Sequence, residues 1–272
     1  MKFAICNEIF KDWKLEDVFA YAARLGYAGV EIAPFTLADS VGQISAAERH
    51  RIRELAARYN LQIVGLHWLL VKPEGLHLNH PDNSIRLRTG TYFCELVEFC
   101  ADVGGGVMVV GSPKQRSLMP GVSREQALEW TVATLRDAVQ RAEDLDVTIC
   151  FEPLAPVETD FINTAAEAID FTNRFSSPNF KIILDVKAMC SEAKSIPQII
   201  CESGKQFAHF HANDKNLRWP GSGEIDFAPI VAALKEVHYG GFVSVEVFKF
   251  DEGAEAIAKG SIKYLTRIFS EY

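Results

Sequence analysis

Short apolar runs alternate with longer amphipathic segments eight times along the chain. Most of the apolar runs are nearly continuous, as in "GVEIA" and "KIILD", and do not alternate strictly with polar residues. Continuous runs of this kind are typical of strands that are buried on both faces of a parallel sheet. Strands are therefore predicted at residues 3–8, 29–33, 62–67, 107–111, 147–152, 181–185, 207–211 and 242–247.

The segments between these strands have the spacing of amphipathic helices. Ser45 stands three residues before Glu48 and Ser123 three before Gln126, as in a capping box, and Gly26 is a candidate C-cap. Helices are predicted at residues 15–26, 45–59, 84–103, 123–143, 164–175, 195–203, 227–238 and 254–270. Eight strand–helix units predict an α/β protein with a single (β/α)8 TIM barrel, formed by residues 1–272 as one domain.

An open doubly wound sheet is the alternative arrangement of such units. That fold usually has a glycine-rich turn after its first strand, whereas this chain has "IFKDW" there. The "GGG" run at residues 104–106 precedes a strand, so it is predicted to be a turn without a phosphate-binding role. No linker rich in Pro, Gly or Ser indicates a domain boundary.

Ionisable residues collect at the predicted carboxyl ends of the strands, where a TIM barrel builds its active site. Side chains two apart in a strand point the same way, so His209 and His211 share a face. His211 is nearer the carboxyl end, and His209 is better placed one layer deeper as a hydrogen-bond partner. The residues at these ends are Asn7, Glu8, His67, Glu152, Asp185, His209, His211 and Glu246.

Three of these residues, Glu152, Asp185 and Glu246, are acids that would repel one another inside a barrel. One divalent cation bound by these three acids and by His211 would neutralise their charges and remove the repulsion. The hard, oxygen-rich donor set suits Mn²⁺, Mg²⁺ or Co²⁺ better than structural zinc. The alternative is a set of unrelated structural residues, with Asp185 as a helix N-cap and Glu246 in a salt bridge. Their joint occurrence at strand ends five to eight favours the metal.

Composition excludes several classes of partner. The net charge is −8 with a pI near 5.4, so the chain lacks the basic footprint of a nucleic-acid-binding protein. The N-terminal "MKFAICNEIF" is too interrupted for a signal peptide, and no window is long enough to span a membrane. Six cysteines without a C-x-x-C pair indicate free thiols. We therefore expect a cytoplasmic protein with no nucleic-acid or membrane partner.

Four segments resemble the xylose isomerase-like TIM barrel superfamily. Within it, they are most similar to the sugar (phosphate) isomerase/epimerase branch, which includes ketose 3-epimerases of the D-tagatose 3-epimerase type. They are "FEP" at 151–153, "LDVKAM" at 184–189, "HFHANDKN" at 209–216 and "VEVF" at 245–248. The resemblance implies one divalent metal ion, usually Mn²⁺, with Mg²⁺, Co²⁺ or Zn²⁺ as alternatives. It assigns Glu152, Asp185, His211 and Glu246 as the metal ligands.

The resemblance also implies that Glu152 and Glu246 are the catalytic bases. One glutamate would remove the proton from C3 and the other return it, while the metal polarises the C2 carbonyl and stabilises a cis-enediolate. The chain departs from the epimerases at Ala188, where they have a substrate-binding histidine, and at Leu217, where they have an arginine. We therefore expect the part of the site that binds the sugar away from its reacting carbon to differ from that of the ketose 3-epimerases.

Several polar residues are predicted to bind and orient the substrate. Lys114 and Arg116 lie in the loop 111–117, where they would grip a phosphate or carboxylate. Trp13, Trp68 and Trp219 are candidates for apolar walls against a sugar ring, or for a subunit contact. The predicted substrate-binding residues are His67, Glu158, Lys187, Asn213, Arg218 and Lys114.

The predicted function is that of a metal-dependent isomerase or epimerase acting on a small carbohydrate by proton abstraction beside the carbonyl. One alternative is a dehydratase or lyase acting on a keto-sugar or inosose, and another is a non-catalytic sugar-binding barrel or a subunit of a larger enzyme. The superfamily also contains nucleases for abasic DNA, but Ala188 and the negative charge argue against that activity. Such barrels are often dimers or tetramers, which leaves a homo-oligomer as an open expectation.

Overall fold

Eight parallel strands form a closed barrel in the computed structural model, which describes all residues 1–272. The strands are β1 (Lys2–Cys6), β2 (Gly29–Ile32), β3 (Gln62–Leu66), β4 (Val107–Val110), β5 (Thr148–Phe151), β6 (Phe180–Asp185), β7 (Phe207–Ala212) and β8 (Phe242–Val245). They follow one another around the barrel in chain order, and β1 pairs with β8. The predicted (β/α)8 barrel is confirmed, and the open doubly wound sheet is wrong because the sheet closes on itself.

Nine helices follow or connect the strands. They are α1 (Leu15–Leu25), α2 (Ala46–Arg58), α3 (Asn83–Val103), α4 (Arg124–Asp144), α5 (Ala165–Thr172), α6 (Val186–Met189), α7 (Ile196–Ser203), α8 (Ala228–Glu236) and α9 (Ala254–Glu271). All eight predicted helices are present. The single turn α6 was not predicted, because four residues are too few to show a helical period. No helix combines the length and the apolar character needed to cross a membrane.

Local signals in the sequence account for several helix ends. The Ser45 hydroxyl accepts a hydrogen bond from the Glu48 amide, and the Ser123 hydroxyl accepts one from the Gln126 amide, both at 3.2 Å. Each bond satisfies an amide that the first helical turn leaves free. Gly26 ends α1 with φ at +92°, a left-handed conformation that glycine adopts without strain. These contacts confirm the predicted starts of α2 and α4 and the predicted end of α1.

The core has two parts on either side of the strands. The larger part fills the space between strands and helices and contains large side chains such as Phe151 and Phe210. Inside the barrel, Val109, Cys150 and Ile183 form a small separate apolar cluster. Side chains two apart in a strand share a face, so Cys150 and Ile183 lie one layer below residues 152 and 185. On the side of β4, β5 and β6, this apolar cluster lies beneath the polar carboxyl end of the barrel.

Candidate metal centre

Four predicted metal ligands come together at the carboxyl end of the barrel. Glu152, Asp185, His211 and Glu246 each offer one donor atom, and these atoms lie within 4.8 Å of one another. Asp185 ends β6 and pairs in register with His211 of β7, which places their side chains side by side. Glu152 follows β5 and Glu246 follows β8, and all four residues are at most 5% exposed. The barrel therefore gathers three carboxylates and one imidazole from four strand ends.

Two carboxyl groups of this cluster are difficult to ionise. Burial, together with the negative charges of Glu246 and Asp185, raises the pKa of Glu152 to about 8. Burial also raises the pKa of Asp185, although the Lys187 ammonium opposes that shift. The Glu152 carboxylate accepts no hydrogen bond from another residue. Adjacent buried carboxylates that raise one another's pKa are the environment in which a shared cation is stabilising.

The orientation of His211 fits a metal ligand. Its Nε2 atom lies 3.1 and 3.2 Å from the two carboxylate oxygens of Glu31. Its buried Nδ1 atom has no hydrogen-bond partner and lies 3.0 Å from Oε2 of Glu246, on the side of the cluster. A histidine that binds a metal commonly donates its other ring N–H to a carboxylate. One imidazole and three carboxylates, with no thiolate, fit a hard divalent ion such as Mn²⁺ or Mg²⁺.

Glu31 is the residue of this site that we did not predict from the sequence. It lies in β2, is fully buried, and its Oε2 atom is 2.8 Å from Nε2 of His209. Burial alone would raise the pKa of Glu31, but the charges and hydrogen bonds of His209 and His211 hold it well below its usual range. His209 thus lies one layer deeper than His211, where its position in the strand predicts it. The signal for Glu31 was a carboxylate in the middle of the apolar run "GVEIA".

Replacing Glu31 with Gln is expected to weaken Mn²⁺ binding by about 10- to 100-fold, although Glu31 is not one of the four predicted ligands. The amide has no charge to balance the two histidines, and only one of its two polar atoms accepts hydrogen bonds. Titration calorimetry with Mn²⁺ measures the effect. Glu54→Gln, at an exposed position of α2, is the matched control and should bind Mn²⁺ normally. Equal affinity in the Glu31→Gln and control proteins would show that Glu31 does not support the ion.

Three residues that follow β1 and β3, Glu8, His67 and Trp68, adjoin the cluster on the side of Glu246. His67 is fully buried and its Nε2 atom lies 2.6 Å from Oε2 of Glu8. The Trp68 indole N–H donates a hydrogen bond of 2.7 Å to Oε1 of Glu246. The sequence pattern indicated only an apolar surface for Trp68, and this bond shows that its polar edge also fixes a glutamate of the cluster.

The other wall has a lysine and an asparagine beside the aspartate. Asn213 donates from Nδ2 to Oδ2 of Asp185 at 2.6 Å and accepts from the Lys187 amide at 2.8 Å. The Lys187 ammonium lies 2.8 Å from Oε1 of Glu158 and 4.0 Å from the centre of the Phe248 ring. Burial would lower the pKa of this ammonium, but the surrounding carboxylates raise it above its usual value. A fixed positive charge therefore stands at the edge of the cluster.

Two of the predicted substrate-binding residues form no bond with the four residues of the cluster. Lys114 is exposed and forms no hydrogen bond or salt bridge. Arg218 binds Asp251 and Glu252 at 2.7 Å each, because the loop after β8 presents both acids to it. Arg116 does not face the mouth as its loop predicted. It is fully buried, with its guanidinium 4.7 Å from the centre of the Phe151 ring.

A cleft of about 670 Å³ opens beside the cluster, over the carboxyl ends of β1, β2, β3 and β8. Nine of its fifteen lining residues are hydrophobic. Glu8 and Trp68 line it and are bonded to His67 and Glu246, so the cleft adjoins the cluster. Trp219 lies outside this cleft, unlike the other two tryptophans predicted as apolar walls. We call it the aromatic cleft after its six rings: Phe10, Trp13, Phe35, Trp68, Phe248 and Phe250.

Known proteins resemble the chain over its whole length or a large part of it. The family model described as xylose isomerase-like TIM barrel matches residues 19–268. A D-psicose 3-epimerase from Ruminiclostridium cellulolyticum is 30% identical over 176 residues, which cover 63% of this chain and 59% of the relative. Across three such curated epimerases the match spans only 37% to 59% of the relative's length.

Two further similarities extend over nearly the entire chain. A 3-dehydro-D-guloside 4-epimerase from Escherichia coli is 24% identical, with 90% of this chain and 92% of the relative covered. The solved structure of D-psicose 3-epimerase with D-tagatose from Clostridium cellulolyticum H10 superposes with a TM-score of 0.87 at 21% identity, covering 99% of each chain. The structural similarity shows that the two proteins share the fold.

Proposed function

Because this chain belongs to the xylose isomerase-like TIM barrel family, we propose that it is a divalent-metal-dependent epimerase or isomerase of carbohydrates, built as a single barrel domain. The observation that carries the proposal is the buried cluster of three carboxylates and one imidazole at the mouth of the barrel. The similar curated proteins are named as sugar epimerases, which supports the same reaction. They do not favour the eliminating lyase or the non-catalytic barrel.

In this proposal Glu152, Asp185, His211 and Glu246 hold one ion, with Mn²⁺ as the first choice for the oxygen-rich donor set. When bound, the ion would polarise the carbonyl group of the sugar and so make the neighbouring C–H more acidic. Asn213 and Glu31 hold the side chains of Asp185 and His211 in place through the bonds described above. The protein thus fixes its ligands before any substrate arrives.

Glu152 and Glu246 would carry the proton. They extend from β5 and β8, strands that are not neighbours, so they reach a bound sugar from different directions. Trp68 holds one oxygen of Glu246, whereas Glu152 has no protein hydrogen bond that must break when it takes a proton. Inversion at a carbon requires removal of the proton on one face and its return on the other, which two separate carboxylates can provide.

Lys187 and Glu158 would orient the hydroxyl groups of the sugar, the ammonium as a donor and the carboxylate as an acceptor. Replacing Lys187 with Met should raise KM by about tenfold, because a hydrogen bond to a charged donor is lost and Glu158 loses its partner. Steady-state kinetics on any accepted sugar measures the change. Lys215→Met, at an exposed position in the loop after β7, is the matched control. An unchanged KM would exclude Lys187 from substrate binding.

The proposal is tested by product analysis. The purified protein, loaded with Mn²⁺, is incubated with free ketoses and with keto-glycosides, the two kinds of sugar that the names of its relatives indicate. NMR spectra identify the products. An epimer of any of these sugars supports the proposal. An unsaturated product would establish the lyase instead, and no conversion of any sugar would contradict the proposed activity.

A further inference from the structure

We propose that the natural substrate is a keto-glycoside with an apolar, aromatic aglycone, and that the aromatic cleft binds this aglycone. The inference rests on the proposed function, which it extends from the reacting sugar to the group attached to it. Its support is the position of the cleft, the chemistry of its lining and its exposed aromatic rim.

The cleft is additional to the space that the reacting sugar needs. The reacting carbon has to lie against Glu152 and Glu246, and neither residue lines the cleft. Trp68 and Phe248 form the boundary between the two spaces. Trp68 binds Glu246 through its indole N–H, and its ring centre is 6.3 Å from that of Phe248, which also contacts the Lys187 ammonium. A sugar held at the cluster would therefore lie beside the cleft, where a group attached to the sugar can enter it.

The volume of the cleft calls for more than a small substituent. Its 670 Å³ lies in the middle of the range of sites that bind drug-sized molecules, about 300 to 1,000 Å³. A methyl group or a single hydroxymethyl group would leave most of that space to water. A one-ring or two-ring aromatic group has the size and the flat shape to lie against the rings of the cleft.

The lining has two uncharged polar side chains, Asn7 and Thr36, and both are already hydrogen-bonded within the protein. The Asn7 amide donates to the Thr36 hydroxyl at 2.8 Å and accepts from the Ala33 N–H at 2.7 Å. The Thr36 hydroxyl in turn donates to the Ala33 carbonyl at 2.7 Å. A sugar hydroxyl placed here would lose its hydrogen bonds to water without replacing them, which is unfavourable. The wall formed by these two residues and the aromatic rings therefore favours an apolar group over a second sugar, and the free polar atoms of the cleft belong to its charged residues Glu8, Lys11, Asp12 and Lys14.

The outer end of the cleft is aromatic and open to solvent. Phe250 is 44% exposed, and it is the only one of the five exposed large hydrophobic side chains that lines this cleft. Exposed apolar surface that continues into a cleft marks a binding site more often than an isolated exposed residue does. The charged residues Lys11, Asp12 and Lys14 stand around it and are exposed. An aglycone would cover Phe250 while its far end reaches solvent.

The first test compares methyl and phenyl 3-oxo-β-D-glucopyranoside, which differ only in the aglycone, as substrates of the Mn²⁺-loaded protein. The phenyl glycoside should have a kcat/KM at least about tenfold higher, since an added apolar group in a matching pocket contributes that much or more. Phe35→Ala and Phe250→Ala should each reduce this preference by about threefold or more. Leu87→Ala removes a still more exposed apolar side chain, on α3 and outside the cleft, and should leave the preference unchanged.

The second test measures binding without turnover. Phenyl and methyl β-D-glucopyranoside, which have no ketone, are added to the metal-free protein and followed by saturation-transfer NMR. Transfer to the phenyl ring, reduced in Phe250→Ala, supports the inference.

The outcomes separate the inference from the proposed function. Equal turnover and equal binding of the two glycosides overturn the inference and leave the proposed function standing. Turnover of free ketoses without turnover of either keto-glycoside does the same. If no sugar of any class is converted, the proposed function and the inference are both rejected.

Discussion

Replacing Glu152 with Gln is expected to lower kcat by about 10²- to 10⁴-fold, and replacing Glu246 with Gln by a similar factor. The glutamine side chain has nearly the shape of the glutamate, and its amide oxygen remains a donor to the ion. It cannot take a proton at neutral pH, so the step in which the C–H bond breaks loses its base. The Glu152 carboxylate accepts no hydrogen bond from another residue, and therefore its replacement leaves the neighbouring side chains in place.

Epimer formation at saturating Mn²⁺, followed by NMR, measures this loss. Asp185→Asn is the informative comparison, because Asp185 is a ligand in our account but not a base, so raising the Mn²⁺ concentration should restore much of its activity. Glu236→Gln, at an exposed position of α8, controls for the substitution itself. If excess Mn²⁺ also restores the Glu152→Gln protein to full activity, Glu152 is a metal ligand and no more.

Removal of the metal is the change with the second largest expected effect. Dialysis against a chelator should abolish activity, because in this account the ion is the group that polarises the sugar carbonyl. It should also lower the melting temperature. Burial and the negative charges of Glu246 and Asp185 raise the pKa of Glu152 to about 8, so the fully ionised cluster is unfavourable unless a cation is bound. Mn²⁺ at about 100 times its Kd would add roughly 2.7 kcal/mol to the free energy of unfolding.

Thermal unfolding with and without Mn²⁺ checks this prediction. For a chain of this size we expect the melting temperature to rise by about 5 to 10 °C on addition of the ion. The protein with both Asp185→Ala and His211→Ala lacks two of the four donors and should show no such rise. Full activity in the stripped protein would contradict the account, and so would an equal rise in the double variant.

The sequence was sufficient for the fold and for the four residues of the cluster because both depend on short, regular patterns. Strands buried on two faces are continuous apolar runs, and the polar residues that end them stand at a fixed end of the barrel. Residues two apart in a strand share a face, and this rule is enough to place His209 below His211. The ends of strands and helices differ from the prediction by no more than three residues.

What could not be predicted depends on contacts between distant loops. Arg218 forms ion pairs with Asp251 and Glu252, which stand more than thirty residues later in the chain. The sequence does not show that these two acids lie beside it. Arg116 is buried because the Phe151 ring offers a surface for its guanidinium. The aromatic cleft combines residues that follow four different strands, and no period in the sequence connects them. Glu31 was missed because a single acid in an apolar run does not show which partners neutralise it.

The most direct test of the account is the reaction of the Mn²⁺-loaded protein in D₂O with a sugar that it converts. Two carboxylates that exchange protons with the solvent predict one deuterium at the inverted carbon, next to the carbonyl, and none elsewhere in the sugar. Mass spectrometry and NMR of the epimer locate the label. An epimer that forms without any deuterium would mean that this C–H bond does not break by proton transfer to an exchanging base, and it would contradict the assignment of Glu152 and Glu246.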